Sequence, residues 1–142
     1  MKYVDLSHIL SNEMTTYPSD PNIEIKVEKN IIDNNSLLHS FKMGTHTGTH
    51  LDAPAHVIPN GKTINDFPLD SFAGISIKVD SNNWADIDSL DYKVDGIIYD
   101  SGWCKNFNNS EVFYSPDRPS IPKNLVQFAV KSKIKFFGTD LP

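Results

Sequence analysis

His46, His50 and His56, three of the five histidines in the chain, fall with Asp52 in the stretch His46-Thr47-Gly48-Thr49-His50-Leu51-Asp52-Ala53-Pro54-Ala55-His56. All four occupy even-numbered positions, and alternate residues of an extended chain point to the same side. The spacing therefore predicts that three imidazoles and one carboxylate can converge on a single point. Imidazole nitrogens and a carboxylate oxygen are donors that a divalent transition metal takes. One histidine on such a segment reads as an ordinary surface group. Three in phase with an aspartate, flanked by Gly44 and Gly48, read as a metal site. Structural zinc usually fills four positions from cysteine-rich sets, whereas catalytic zinc keeps a position open. A set without cysteine points to catalysis.

The parity argument needs an extended segment. A helix would bring His46 and His50 together at i and i+4 but carry Asp52 away. Thr45, Thr47, Thr49, Gly48 and Pro54 also disfavour a helix. The expected strand ends near Pro54, which cannot donate to a ladder, and leaves His56 on a loop. The glycines allow close backbone approach, and the threonine hydroxyls can orient the ligands from behind.

Around this segment the pattern is that of a strand-rich α/β domain. Tyr3–Ser7 is a short β-prone opening, and Tyr17-Pro18-Ser19-Asp20-Pro21 is a turn. Residues 23–28 alternate apolar and charged side chains, and with residues 36–42 across Asn34-Asn35 they predict a hairpin. Residues 63–69 read as irregular or short helical cover, residues 75–79 as a strand, and Trp84–Asp88 as one helical turn. Residues 96–99 form the kind of short apolar run that is buried between layers. An Asn- and Pro-rich loop spans residues 101–120. A helix is expected from about Pro122 to Lys131, capped by Ser120, with Leu125, Val126, Ala129 and Val130 as its apolar stripe. A last strand, residues 134–137, delivers Asp140 to the edge of the sheet.

The chain has 142 residues, 39% of them hydrophobic, enough for one folded domain with a core. A net charge of −5 with scattered lysines argues against nucleic acid and anionic membrane as partners. No apolar run approaches the ~20 residues of a membrane span. The N-terminus lacks the long apolar segment of a secretory signal, and the single cysteine, Cys104, excludes an intramolecular disulfide framework. A cytoplasmic protein is expected. Cys104 has no histidine near it in sequence and reads as an inert thiol rather than a nucleophile.

The run from His46 to His56 resembles the signature of the metal-dependent cyclase-like hydrolase family, which includes bacterial kynurenine formamidases and isatin hydrolases. Asp5-Leu6-Ser7-His8 with residues 17–21 resembles the family's opening. Ser101-Gly102-Trp103 resembles its Thr-Gly-Trp element, and Gly138-Thr139-Asp140-Leu141-Pro142 resembles its Gly-Ile-Asp-x-Pro-Ser turn without the serine. The resemblance implies a compact β/β/α fold of swivelling type, a mixed sheet with few helices, assembled as a homodimer or higher homo-oligomer. It implies that His46, His50 and Asp52 bind zinc or manganese, one ion or two, with Asp52 bridging to a second where one is present. His56 would be the proton-transfer group. Relatives with two metals draw a further His and Glu from beyond the equivalent of Pro142, so residues 1–142 are expected to be one such domain lacking its C-terminal part. His8 and His39 read as surface or core groups rather than substitutes.

The reaction implied is hydrolysis of an aryl formamide or similar amide, as in tryptophan catabolism, on a small-molecule substrate. A divalent ion lowers the pKa of water toward ~7 and polarises a carbonyl, and a histidine, titrating near ~6.5, is suited to pass the proton. Tyr17, Phe67 and Trp103 are candidates for packing an aromatic substrate ring, though each reads equally as an ordinary core or surface aromatic. Alternatives are a lactam hydrolase, a polyketide-cyclase-like relative, or a non-catalytic metal-binding remnant.

Overall fold

The computed structural model describes residues 3–80 and 93–142. They form a mixed α/β structure with few helices, in which antiparallel and parallel pairing occupy separate sheets. The chain divides into two compact units, Met1–Asp52 with Asn108–Ser110, and Ala53–Phe107 with Glu111–Pro142.

In the first unit, β1 (Glu24–Lys29) and β2 (Leu38–Lys42) pair antiparallel, with Ile25 opposite Phe41 and Val27 opposite His39. The predicted hairpin is present. Its Asn34-Asn35 turn is wound into a single helical turn, α1 (Ile31–Asn34). Asn30 caps α1 by accepting the Asp33 N–H at 2.9 Å, and Asn35 closes it in the left-handed region at φ 53°. Asn12 grips β1 from the side: its Oδ1 accepts the Ile25 N–H at 2.6 Å, and its Nδ2 donates to the Ile25 carbonyl at 3.1 Å. The Tyr3–Ser7 opening does not form a strand. Its local hydrogen bond is instead an Asx turn, in which Asp5 Oδ1 accepts the Ser7 N–H at 2.8 Å.

In the second unit, β3 (Ser76–Asp80), β4 (Gly96–Asp100) and β5 (Phe136–Thr139) form a parallel sheet with β4 in the middle. Ile97 and Tyr99 of this central strand are buried and Ile98 is half-buried, which fits the apolar run of residues 96–99. Gly96 sits opposite Phe136 and leaves room for its ring: a Cβ here would lie 2.2 Å from Phe136 Cε2. Short 3₁₀ turns at Ile64–Asp66 and Leu69–Phe72 bear out the irregular cover expected there. The 101–120 loop holds another at Trp103–Asn106 and the short helix α2 (Ser110–Phe113). The Trp84–Asp88 turn lies outside the described residues.

The predicted C-terminal helix is α3 (Lys123–Lys131), whose N-cap is Pro122 with no side-chain bond, not Ser120. Its stripe is only partly buried. Leu125 is fully enclosed with Val79, Ile97 and Tyr99, and Phe128 and Ala129 pack beside it. Val126 and Val130 stay 44% and 74% exposed, because at about 100° per residue Val126 falls on the flank of the face that Leu125 centres and Val130 falls farther round. Leu125→Ala empties the middle of this cluster. It should cost about 3 kcal/mol, read as a lowered denaturant midpoint; a shift under a third of that would show that the cluster closes over the gap.

Candidate metal centre

The ligand-bearing segment belongs to the first unit and begins where β2 stops. After Lys42 the chain leaves the ladder, turns at Thr45-His46, and continues without strand pairing through Asp52. The extended segment predicted from residue parity is therefore not what forms. Gly48 decides the matter. It takes φ +65°, a left-handed conformation that a glycine adopts without penalty and that breaks the extended run between the two histidines. The Thr47 N–H donates to the Gly44 carbonyl at 3.2 Å, and Thr47 is buried to 4% exposure, anchoring the turn from inside.

The turn nevertheless brings together three of the four residues that parity had placed together; His56 is not in the group. His46, His50 and Asp52 each offer a ligand atom, and these atoms lie within 4.8 Å of one another. His46 Nδ1 is 2.8 Å and His50 Nε2 is 3.6 Å from Asp52 Oδ1. The two rings meet edge to face, with centroids 5.0 Å apart. His50 Nδ1 lies 2.8 Å from the Gly48 carbonyl, which can only accept, so Nδ1 carries the proton. In the neutral ring, Nε2 then presents a lone pair toward Asp52. A metal cation between the two groups, or a proton on Nε2, meets that arrangement. Ligand atoms about 2.1 Å from a tetrahedral ion stand about 3.4 Å apart, and the two observed separations bracket that value. The donor set fits a divalent ion, and the backbone bond on the far nitrogen is the kind of support that fixes a ligating imidazole.

The other residues singled out from sequence take separate places. His56 ends a 3₁₀ turn, Pro54–His56, that opens the second unit, and it is exposed. Tyr17 is half exposed in the first unit, where its carbonyl accepts the Asp20 N–H at 2.9 Å. Phe67 packs edge to face on Phe72 with Lys62 Nζ 5.5 Å over its ring. The Trp103 indole N–H donates to the Phe113 carbonyl at 3.0 Å.

A family model described as putative cyclase matches residues 4–142. The chain belongs to the cyclase family. Among its relatives in this family, it is 37% identical over 84 residues to a kynurenine formamidase from Salinibacter ruber, and 25% identical over 146 residues to one from Bacillus thuringiensis. These matches take in 58% and 99% of this chain but 40% and 69% of the relatives. The cyclase fold is also that of isatin hydrolase A from Ralstonia solanacearum and from Labrenzia aggregata, with TM-scores of 0.70 and 0.71 at 19% identity. The matches cover 97% of this chain and 66% and 67% of those structures. Among the described residues of this cyclase chain, no helix is long and apolar enough to cross a membrane.

Residue-by-residue reading missed one feature, the junction between two segments that resemble family elements. At the carboxyl ends of β4 and β5, Asp140 Oδ1 accepts the Ser101 N–H at 2.8 Å and the Ser101 hydroxyl at 2.7 Å, and Oδ2 accepts the Cys104 N–H at 3.0 Å. The signals were Ser101-Gly102-Trp103 and Gly138–Pro142 themselves; that one carboxylate ties them together is a property of the parallel pairing. Burial pushes the Asp140 pKa up, but the Ser101 hydroxyl and the Cys104 and Ser101 N–H groups outweigh it and hold the carboxyl below its usual range. Burial, Asp140 and Asp100 all push the Cys104 thiol up, which fits its reading as inert.

For a lowered carboxyl, the linked stability is present above the ordinary value and is lost as pH falls through the folded one. Asp140→Asn should therefore lose about 1–3 kcal/mol at neutral pH and flatten the acid limb of the stability profile below about pH 4. An acid limb as steep as in the unaltered protein would place the pH-sensitive group elsewhere.

Proposed function

We propose that this chain is a metal-dependent hydrolase of an aryl formamide or a closely related amide. The observation that carries the reading is the His46–His50–Asp52 donor group, held by a turn in a cyclase-family chain whose relatives include proteins named kynurenine formamidase. His46, His50 and Asp52 would hold the ion. When bound, a divalent ion there supplies Lewis acidity, lowering the pKa of water toward ~7 and polarising a carbonyl.

The protein's own part is to position and to move protons. The Gly48 carbonyl keeps the His50 proton on Nδ1 and so keeps Nε2 available. His56 takes a proton from the attacking water at a ring nitrogen and returns one to the departing amine as the carbon–nitrogen bond breaks. Its exposure and its place four residues beyond Asp52 support that role. Tyr17, Phe67 and Trp103 remain proposals for contacts to an aromatic ring, zinc and manganese for the ion, and a homo-oligomer in the cytoplasm for the working form.

The test is formate release from an aryl formamide by purified protein loaded with zinc or with manganese, run beside isatin. Formate release that needs the metal supports the reading. Ring opening of isatin alone would move the chain to the lactam hydrolases, and metal uptake with neither activity would make it a binding remnant.

A further inference from the structure

The ligand turn is gripped from outside by a segment some forty residues upstream. The His8 backbone N–H donates to Thr49 Oγ1 at 3.0 Å. Across Gly48, Met14 Cε and Leu10 Cδ2 lie 3.0 and 3.1 Å from where a Cβ would stand. Glycine is thus favoured at this position by its φ of +65°, and the tips of Met14 and Leu10 pack close over it. The upstream segment has a shape of its own, with the Ser7 N–H bonded to Asp5 Oδ1 and the Met14 N–H to the Ser11 carbonyl at 3.1 Å. A polar pin and an apolar cover therefore converge on residues 48 and 49, immediately before His50. Residue 48 also provides the carbonyl that sets the His50 ring.

We propose that residues 7–14 are a strap that holds the ligand turn in its metal-binding shape, and that Thr49 is the positioning residue through which the strap acts. Neither Thr49 nor His8 contributes a ligand atom in this account. The effect is mechanical: a shift of residues 48–49 turns the His50 imidazole and moves Nε2 away from His46 and Asp52. Coupling of this kind is reciprocal. If the strap favours metal binding, the metal must tighten the strap. The inference rests on the metal-centre reading, and its test separates the two.

The experiment is a zinc titration against a competing chelator for the unaltered chain and for Thr49→Val, Thr49→Ser and Leu10→Ala, with amide hydrogen exchange of residues 7–14 followed with and without zinc. Thr49→Val keeps the shape and removes the acceptor; it should weaken zinc roughly three- to tenfold, the worth of one net hydrogen bond, and Thr49→Ser should recover it. Leu10→Ala, which thins the cover without touching the turn, should weaken zinc in the same direction. Zinc should slow exchange across residues 7–14 in the unaltered chain and in Thr49→Ser, and less in Thr49→Val. Zinc affinity unchanged in Thr49→Val, or exchange of residues 7–14 indifferent to zinc, overturns the strap alone. An unaltered chain that takes up no zinc overturns the metal centre and the strap together.

Discussion

His50→Ala is expected to lose bound metal and hydrolysis together, with metal affinity falling by more than ~100-fold, beyond what loss of a supporting partner costs. His50 is the member of the donor group whose orientation is best determined. Its Nδ1 is committed to the Gly48 carbonyl at 2.8 Å, so its contribution is a single nitrogen, Nε2, facing Asp52. Alanine removes that nitrogen and leaves a two-donor site. The side chain is partly exposed at the surface, so the stability of the fold should fall by no more than about 1 kcal/mol. Metal analysis of the purified variant beside its thermal midpoint checks both halves. A folded His50→Ala that still carries one metal per chain and still turns over would remove this residue from the site.

His56→Ala is expected to do the opposite with the metal and the same with turnover. It contributes nothing to the donor group that His46, His50 and Asp52 form, so metal content should be unchanged. Loss of a positioned acid–base group typically slows turnover about 10²–10⁴-fold. A retained metal with a drop in kcat of that size is the signature of proton transfer. Retained turnover would return His56 to the status of a surface residue, and lost metal would make it a ligand. The pair of variants divides one eleven-residue motif into two chemical jobs.

The motif was legible in the sequence, while the backbone beneath it was not. Even spacing grouped His46, His50 and Asp52, which do come together, with His56, which is not in the donor group, and the extended strand offered as the reason does not form. For these three residues, alternation and a turn with Gly48 at positive φ predict the same neighbours. What distinguishes them is the left-handed φ of one glycine, and a glycine reads from sequence only as permission. The hairpin was legible because strict alternation in residues 23–28 has a single physical meaning, a half-covered ribbon. The central strand was legible because a short apolar run such as Gly-Ile-Ile-Tyr suits a strand held inside a parallel sheet. Ser120 was expected to cap α3 on residue type alone, whereas a cap is a hydrogen-bond geometry, and Pro122 took the position with fixed φ instead. The Asp140 junction was out of reach because it joins residues 36 to 39 positions apart through the register of a parallel sheet.

Asn12 has a consequence for how this protein behaves in a crowded solution. A hairpin whose Val27 and Phe41 are 60% and 72% exposed is a template on which further chains can stack as strands. By taking both the N–H and the carbonyl of Ile25, the Asn12 amide acts as a one-residue false neighbour that occupies the outer edge of β1 where a foreign strand would begin to pair. Without this amide both polar groups of Ile25 would stand open at the outer edge of β1. Asparagine suits the task because it carries a donor and an acceptor side by side, as a peptide unit does, and ends there.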